Sequence, residues 1–255
     1  MEIPIGVYPK RRRYKPVVTW TLTAVNVVVF IYLAASGLLD EAVAAYGLVP
    51  AYILEGRRLY TVLTSMFLHG GFMHLAGNMM YLVVFGSGIE ARLGRARFLL
   101  LYLLSGILAS VAHMAILLLF TEPIVVYGPM GATVYDPLET PCVGASGAIS
   151  GLLGAYLLLF PNANLRVLTF IGMIPVVISI PAVLFIGFWF LYQLYMGYVS
   201  LLLPAPFFSG VAFWAHIGGF VAGLVVTPMI GRKARRRRRV LIDRRGRVWY
   251  EIPVD

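Results

Sequence analysis

Five polar side chains of the types that hydrolyse peptide bonds occur within largely apolar stretches of this sequence: Ser146, His216, His74, Asn78 and His69. A serine hydroxyl becomes a nucleophile when a neighbouring base takes its proton, and histidine suits that role near neutral pH. The oxyanion that the attack produces needs preorganised hydrogen-bond donors. His74, Asn78 and the backbone N–H of Ser146 could supply them, provided the fold brings these groups together.

A carboxylate that would complete a Ser–His–Asp triad has no obvious place in the sequence. Of the eleven acidic residues, only Glu90 lies in or next to an apolar stretch. The helical rise places Glu90 roughly a membrane thickness from Ser146. The residues therefore favour a Ser–His dyad. The histidines have no carboxylate at their depth and no His-Glu-x-x-His motif, so we predict no metal ion and no cofactor. We interpret His113 as a structural or interface histidine.

The composition is that of an integral membrane protein. Of the 255 residues, 60% are hydrophobic and 13% are charged, whereas soluble domains carry about 25% charged residues. The formal net charge is +10, but the basic residues cluster at 10–15 and 232–239, next to the ends of the apolar region. Such clusters indicate topology and contacts with anionic lipids, and we expect no nucleic-acid partner. The single cysteine, Cys142, excludes an intramolecular disulfide.

Six apolar segments have lengths near the roughly 20 residues that cross a bilayer. We predict spans at Val17–Ala35, Met73–Ile89, Phe98–Phe120, Gly144–Phe160, Val176–Leu203 and Val211–Ile230. The fold class is thus an all-α integral membrane bundle of six helices. The predicted units are a basic N-terminal segment (1–16), the membrane domain (17–230) and a basic C-terminal tail (231–255). In the tail, residues 240–252 alternate around Arg245 and Gly246 and predict a small hairpin.

The charges of the connections set the predicted orientation. Both basic termini and the arginine-bearing 2–3 and 4–5 connections are expected in the cytoplasm of a cell-membrane protein. The 1–2 connection is apolar enough to lie in the interface as short amphipathic segments. Ser146 and His216 then enter from the outer side at similar depth, level with His74 and Asn78, which share one helix face. Span four is short, so its outer end should be sunken and open to water.

Four motifs in order resemble the rhomboid intramembrane serine proteases. They are His-x4-His-x3-Asn at 69–78, Glu-x-x-x-Gly at 90–94, Gly-x-Ser-Gly at 144–147 and Ala-His-x-x-Gly at 215–219. The resemblance covers nearly the whole membrane domain. It implies Ser146 as nucleophile, His216 as general base and then acid, and His74 and Asn78 in the oxyanion hole. It also implies that His69 supports that hole and the 1–2 connection.

The family resemblance further implies the substrate. Rhomboids cleave transmembrane segments of other membrane proteins near their outer ends, without metal or ATP. The substrate enters beside the fifth helix, under a cap formed by the 5–6 connection. Gly144 would keep the site open, while Gly147 and Gly219, in Gly-x-x-x-Gly patterns with Gly151 and Gly223, would let spans four and six pack closely.

Two positions depart from the family pattern. Tyr60 and Thr61 stand where many members carry Trp-Arg, and Ser150 replaces an aromatic residue that stacks on the catalytic histidine. The alternatives are helix packing and inter-helix hydrogen bonding for the same residues, or a catalytically inactive rhomboid-like protein that binds membrane segments. A transporter would show a continuous polar path or repeat symmetry, and the sequence has neither.

Overall fold

The computed structural model describes residues 3–8, 14–128, 131–171, 174–202, 210–231, 237–242 and 248–254. Within these residues, five helical segments are long and apolar enough to cross a membrane. They are α1 (Val17–Ser36), the segment Phe72–Leu93, α7 (Arg95–Phe120), α9 (Ala182–Leu202) and α10 (Phe213–Ile230). The protein is therefore a multi-pass membrane protein with a helical bundle fold.

A sixth, shorter helix lies in the middle of the bundle. This helix, α8 (Ser146–Leu159), has 14 residues, and every residue from Gly147 to Tyr156 is buried. It packs against α7 and α10. A helix that is apolar and buried on all sides belongs to the core, and 14 residues span only about 21 Å. This agrees with the short fourth span predicted from the sequence.

The segment Phe72–Leu93 is one continuous helical rod (the α5 rod) made of three parts. Helix α5 (Phe72–Tyr81) is followed by a π-helical turn (Leu82–Gly86) and then by α6 (Ser87–Leu93). His74 lies near its beginning and Glu90 near its end. Sixteen residues at 1.5 Å each put them about 24 Å apart, so these two residues mark opposite sides of the bundle.

Glu90 fastens the beginning of α1 to the end of this rod. The carboxylate is fully buried and accepts hydrogen bonds from the backbone N–H groups of Val18 and Thr19 and from the Thr19 hydroxyl. The Tyr14 hydroxyl also donates to it, at 3.3 Å. The first N–H groups of a helix have no partner within the helix, and a carboxylate there satisfies them and suits the helix dipole.

The 1–2 connection, predicted as short amphipathic segments, folds as short helices. They are α2 (Leu39–Tyr46), α3 (Pro50–Leu54) and α4 (Thr61–Thr64), followed by a 3-10 turn at Ser65–Phe67. Its backbone pairs with the chain just before α8, since Leu48 and Cys142 exchange two hydrogen bonds and Gly144 N donates to Ser65 O at 2.9 Å. The connection thereby holds the chain that enters α8 in place.

Strands lie between and beyond the helices. β1 (Ile3–Tyr8), β4 (Asn164–Ile171) and β5 (Ile174–Pro181) form an antiparallel sheet in the order β1-β4-β5. β2 (Ile124–Gly128) pairs with β3 (Gly131–Tyr135) in the 3–4 connection. The hairpin predicted in the C-terminal tail is confirmed by the pairing of β6 (Arg237–Ile242) with β7 (Val248–Val254), although its turn lies outside the described residues.

The prediction that the fifth span begins near Val176 is wrong. Residues 174–181 are β5, whose exposure alternates along the strand, and α9 begins only at Ala182, after Pro181. The run Ile174–Pro181 is apolar enough to extend a membrane span, but it is rich in the β-branched residues Val and Ile, which favour a strand. Hydropathy measures apolarity and cannot distinguish the two structures.

Candidate active site

The predicted nucleophile, Ser146, is the first residue of α8. The residue two positions before it, Gly144, adopts φ +128°, a conformation that side chains rarely accept. A Cβ atom at Gly144 would stand 2.8 Å from His74 Nε2 and 3.6 Å from Ser146 Oγ. His74 and Ser146 therefore flank the same glycine, and the backbone there lies closer to the histidine ring than a larger residue would permit.

His216 is brought to α8 by a close contact between helices. A Cβ on Gly219 would collide with the carbonyl oxygen of Gly147, and one on Gly223 would collide with that of Gly151. The two Gly-x-x-x-Gly patterns thus face each other across α8 and α10, and the predicted role in packing agrees with these contacts. The rings of His74 and His113 both lie within electrostatic reach of His216. Within the described residues, Ser146 Oγ has no hydrogen-bond partner.

The ring of His216 is held from α9. Its Nδ1 atom lies 2.8 Å from Oε1 of Gln193, whose side chain is 4% exposed. Trp189, one turn earlier on α9, places its ring centroid 6.2 Å from that of His216, and Phe213 approaches edge-on at 6.5 Å. One polar contact and two aromatic neighbours thus fix where the imidazole can point.

The other predicted residues lie beside His74. His69 is buried, and its ring meets the His74 ring edge-on with a centroid separation of 5.1 Å. Burial, together with the neighbouring His74, lowers the pKa of His69 to about 4. Asn78 is buried too and donates one amide hydrogen to the His74 carbonyl at 3.0 Å. Its second amide hydrogen remains for another acceptor.

Two cavities adjoin these residues. A small one of about 30 Å³ borders Ser146, Ser110 and His113, and it has room for about one water molecule. A larger one of about 400 Å³ opens between the α5 rod and α9. It is lined mainly by aromatic and aliphatic side chains: Tyr81, Ile180, Leu184, Phe185, Phe188, Trp189 and Tyr192. Trp189 also contacts His216, so it stands between this cavity and the histidine.

The family model of the Rhomboid domain matches residues 56–233, well over half of the chain. The chain belongs to the rhomboid family.

Several curated relatives share this domain. YdcA of Bacillus subtilis (strain 168), whose name places it among the rhomboid proteases, is 35% identical over 59% of this chain and 66% of its own length. Rhomboid protease GluP of the same organism is 29% identical over 85% of this chain and 35% of its own. RHOMBOID-like protein 12, mitochondrial, of Arabidopsis thaliana is 32% identical over 71% of this chain and 48% of its own. The match thus spans at most about two thirds of these relatives.

The first departure from the rhomboid pattern has a structural replacement. Three side chains of residues 58–64 donate to three successive carbonyls at the end of α2. Arg58 Nη1 donates to Ala44 O at 3.0 Å, the Tyr60 hydroxyl to Ala45 O at 3.3 Å, and the Thr64 hydroxyl to Tyr46 O at 2.8 Å. The last carbonyls of a helix need such partners. The chain without Trp-Arg at 60–61 still has a guanidinium and two hydroxyls that hold this rhomboid's 1–2 connection together.

The second departure, Ser150, leaves the position beside His216 to residues of other helices. Ser150 is buried and donates to the carbonyl of Ser146 at 2.7 Å, within its own helix. The residues beside His216 come instead from α9 and from Phe213. Gln193 was not among the predicted site residues of this rhomboid. The available signal was its chemistry, because a buried amide in the middle of a membrane span marks a functional position by default.

Proposed function

We propose that this rhomboid is an active serine endopeptidase that cleaves transmembrane segments of other membrane proteins near the outer face of the membrane. The observation that carries the proposal is that α5, α8 and α10 meet around Gly144 and Gly147. Ser146 begins α8, His74 of α5 stands on the other side of Gly144, and the glycine contacts hold α10, with His216, against α8.

In the proposed reaction, Ser146 Oγ attacks the carbonyl carbon of the scissile peptide bond, and Nε2 of His216 accepts the serine proton. The C–N bond then breaks, and the imidazolium gives its proton to the departing amine. The acyl group stays on Ser146 until water, activated by the same histidine, attacks the ester. His216 therefore acts as base and acid in turn, and no carboxylate is required near Ser146.

The oxyanion of the tetrahedral intermediate would lie between the α8 N-terminus and α5. The backbone N–H of Ser146 is in the first turn of a helix, where N–H groups lack partners inside the helix and the dipole favours negative charge. His74 Nε2 and the second amide hydrogen of Asn78 are the side-chain donors. We propose that His69 contributes indirectly, by packing against the His74 ring.

The two cavities provide for water and substrate. The small cavity beside Ser146 could hold the hydrolytic water, since its wall includes the Ser110 hydroxyl and the His113 ring. The larger apolar cavity between the α5 rod and α9 could take the side chains of a substrate helix. The predicted cap in the 5–6 connection falls on residues 203–209, outside the described residues.

The proposed orientation keeps both termini in the cytoplasm. β1 pairs with β4, so the N-terminal segment lies on the same side as the 4–5 connection. Glu90 brings the start of α1 to the end of the α5 rod, far from His74. The candidate site therefore lies opposite the predicted cytoplasmic side. The basic residues 10–13 and 232–236, which we expect to contact anionic lipids, are outside the described residues.

The competing function is that of an inactive rhomboid-like protein that binds membrane segments without cleaving them. Reconstitution in lipid vesicles with a panel of helix-destabilised single-span substrates distinguishes the two functions. We expect cleavage by the unaltered protein and none by Ser146→Ala or His216→Ala. Cleavage that persists in Ser146→Ala excludes the proposed dyad. Binding of every substrate without any product favours the inactive function.

Protonation of His216 should also stop the reaction. An imidazolium has no lone pair to accept the serine proton, so kcat/KM should fall on the acid side of the pH–rate profile. The measurement is the initial cleavage rate in vesicles from about pH 8 down to about pH 3, well past the range in which exposed histidines titrate. A flat profile contradicts His216 as the general base.

A further inference from the structure

The hydrogen bond between Gln193 and His216 determines which ring nitrogen carries the proton. A neutral imidazole has one N–H and one lone pair, and which nitrogen has the proton follows from the partner of the other. Gln193 Oε1, 2.8 Å from Nδ1, is an acceptor only. Nδ1 must then be the donor, which leaves the lone pair on Nε2, the atom that the proposed reaction uses.

We propose that Gln193 is a positioning residue that acts as the third member of a Ser146–His216–Gln193 arrangement. It takes the place of the carboxylate that serine proteases with a triad use to orient their histidine. This inference rests on the proposed function for its catalytic meaning, but the tautomer it requires is a property of the resting protein.

Three observations make Gln193 suited to this position. Its side chain is 4% exposed, so little water competes for its carbonyl oxygen. Helix α9, which carries Gln193, contacts α10 on either side of the hydrogen bond between Gln193 and His216. Phe190 stacks on Phe220 with 4.3 Å between centroids, and a Cβ on Gly197 would lie 3.1 Å from Ile217 Cδ1. The acceptor is therefore held at one distance from the ring.

The amide differs from a carboxylate in charge. A neutral acceptor fixes the tautomer and the ring plane without placing a negative charge in the membrane, where an unpaired carboxylate is costly. It stabilises the imidazolium less than an aspartate does. The other titratable groups near His216 are His74 of α5 and His113 of α7, and an imidazole carries no negative charge at neutral pH.

The first test is the tautomer of His216, which needs no substrate. Protein labelled with ¹⁵N in its four histidines and held in lipid nanodiscs gives side-chain nitrogen shifts, and the His216 signals are those lost in His216→Ala. We expect Nδ1–H in the unaltered protein and a shift toward Nε2–H in Gln193→Leu. Nε2–H in the unaltered protein overturns the inference, whether or not the protein cleaves any substrate.

The second test separates positioning from folding. Gln193→Leu should lower kcat at least about 10-fold with KM nearly unchanged, because the ground-state contacts of the substrate are kept. Gln193→Glu keeps the acceptor, so it should recover part of kcat and move the acid limb of the pH–rate profile to higher pH. A structural role predicts neither the recovery nor the moved limb, and their absence contradicts the inference.

A matched control lies on the same helix. The Ser200 hydroxyl donates only to the Gly197 carbonyl of α9 at 2.7 Å, so Ser200→Ala removes a polar contact without altering α10. It should leave kcat, the tautomer and the pH profile unchanged. If Gln193→Leu does not fold, the tautomer of His216 in the unaltered protein and the pH–rate profile of Gln193→Glu still test the inference. Normal kcat in a folded Gln193→Leu refutes the inference.

Discussion

At the scale of single residues, the site depends on positions where one atom more or less changes the geometry. Gly144 is such a position, because its backbone conformation and its closeness to His74 both exclude a side chain. His69 matters through its charge, because a buried imidazole beside a second imidazole stays neutral at a pH at which a free histidine would be charged.

Gly144→Ala should reduce cleavage by about 100-fold, the effect of displacing reacting groups by about 1 Å. The new methyl group would press on His74 Nε2, and alanine at this position would be strained by the backbone angle φ of +128°. The control is Gly131→Ala, at φ +119° with open space around its Cβ position. It has the same backbone strain but lies outside the site, so its cleavage rate in vesicles should stay normal. Equal losses in both variants would attribute the effect to strain alone.

The pKa of about 4 at His69 has a consequence for stability. The unfolded chain takes up a proton at His69 as pH falls through about 6.5, while the folded protein does not until about pH 4. The unfolded state then binds more protons, so stability is lost as pH falls across this window. His69→Gln should have a shallower loss, measured as the thermal midpoint in detergent against pH. An identical slope in both proteins contradicts this account.

At the scale of elements, the bundle is held by glycine contacts and by one buried carboxylate. Helices in a membrane gain little from apolar contact with one another compared with contact with lipid, so close backbone packing and hydrogen bonds matter more. The α8–α10 contact serves the proposed site directly, because it sets the distance from Ser146 to His216. The Glu90 contact keeps α1 against the α5 rod at the opposite side of the bundle.

Gly223→Ala should destabilise the protein by about 1–3 kcal/mol, the usual cost of overpacking, and should lower cleavage as well. The obstacle is the backbone oxygen of Gly151, which cannot rotate away as a side chain can. Gly187→Ala on α9, with nothing near its Cβ position, is the control and should unfold at the same temperature or slightly above. Thermal unfolding in detergent measures both. Similar midpoints for the two variants contradict the close α8–α10 contact.

Glu90→Gln should cost about 1.5–3 kcal/mol, as expected for hydrogen bonds to a charged acceptor. The amide retains one oxygen but cannot accept from Val18, Thr19 and Tyr14 together. Glu55→Gln, which affects an exposed carboxylate paired with Arg57, is the control and should cost less than about 1 kcal/mol. Denaturant titration followed by helical signal compares the two. A loss in Glu90→Gln no larger than in the control would show that the hydrogen bonds to the Glu90 carboxylate contribute little.

At the scale of the whole molecule, the proposed orientation predicts that the site faces the outer side of the membrane. The single native cysteine makes this testable, because Cys142→Ala leaves a background without thiols. Glu122, in the 3–4 connection, and Asn162, in the 4–5 connection, are both exposed. With a membrane-impermeant maleimide on intact cells, Glu122→Cys should react at once and Asn162→Cys only after permeabilisation. The reverse pattern would place the site on the cytoplasmic side.

The sequence by itself determined the membrane character, the family motifs and the residues of the candidate site, because composition, span length and local spacing are properties of the chain alone. The amphipathic 1–2 connection and the short fourth helix followed from the same local patterns. Tertiary structure decided that residues 174–181 form a strand, since β4 and β1 supply the hydrogen-bonding partners for it. It also placed Gln193 beside His216, 23 positions away in the chain. That contact depends on how α9 packs on α10, which spacing within one segment cannot specify.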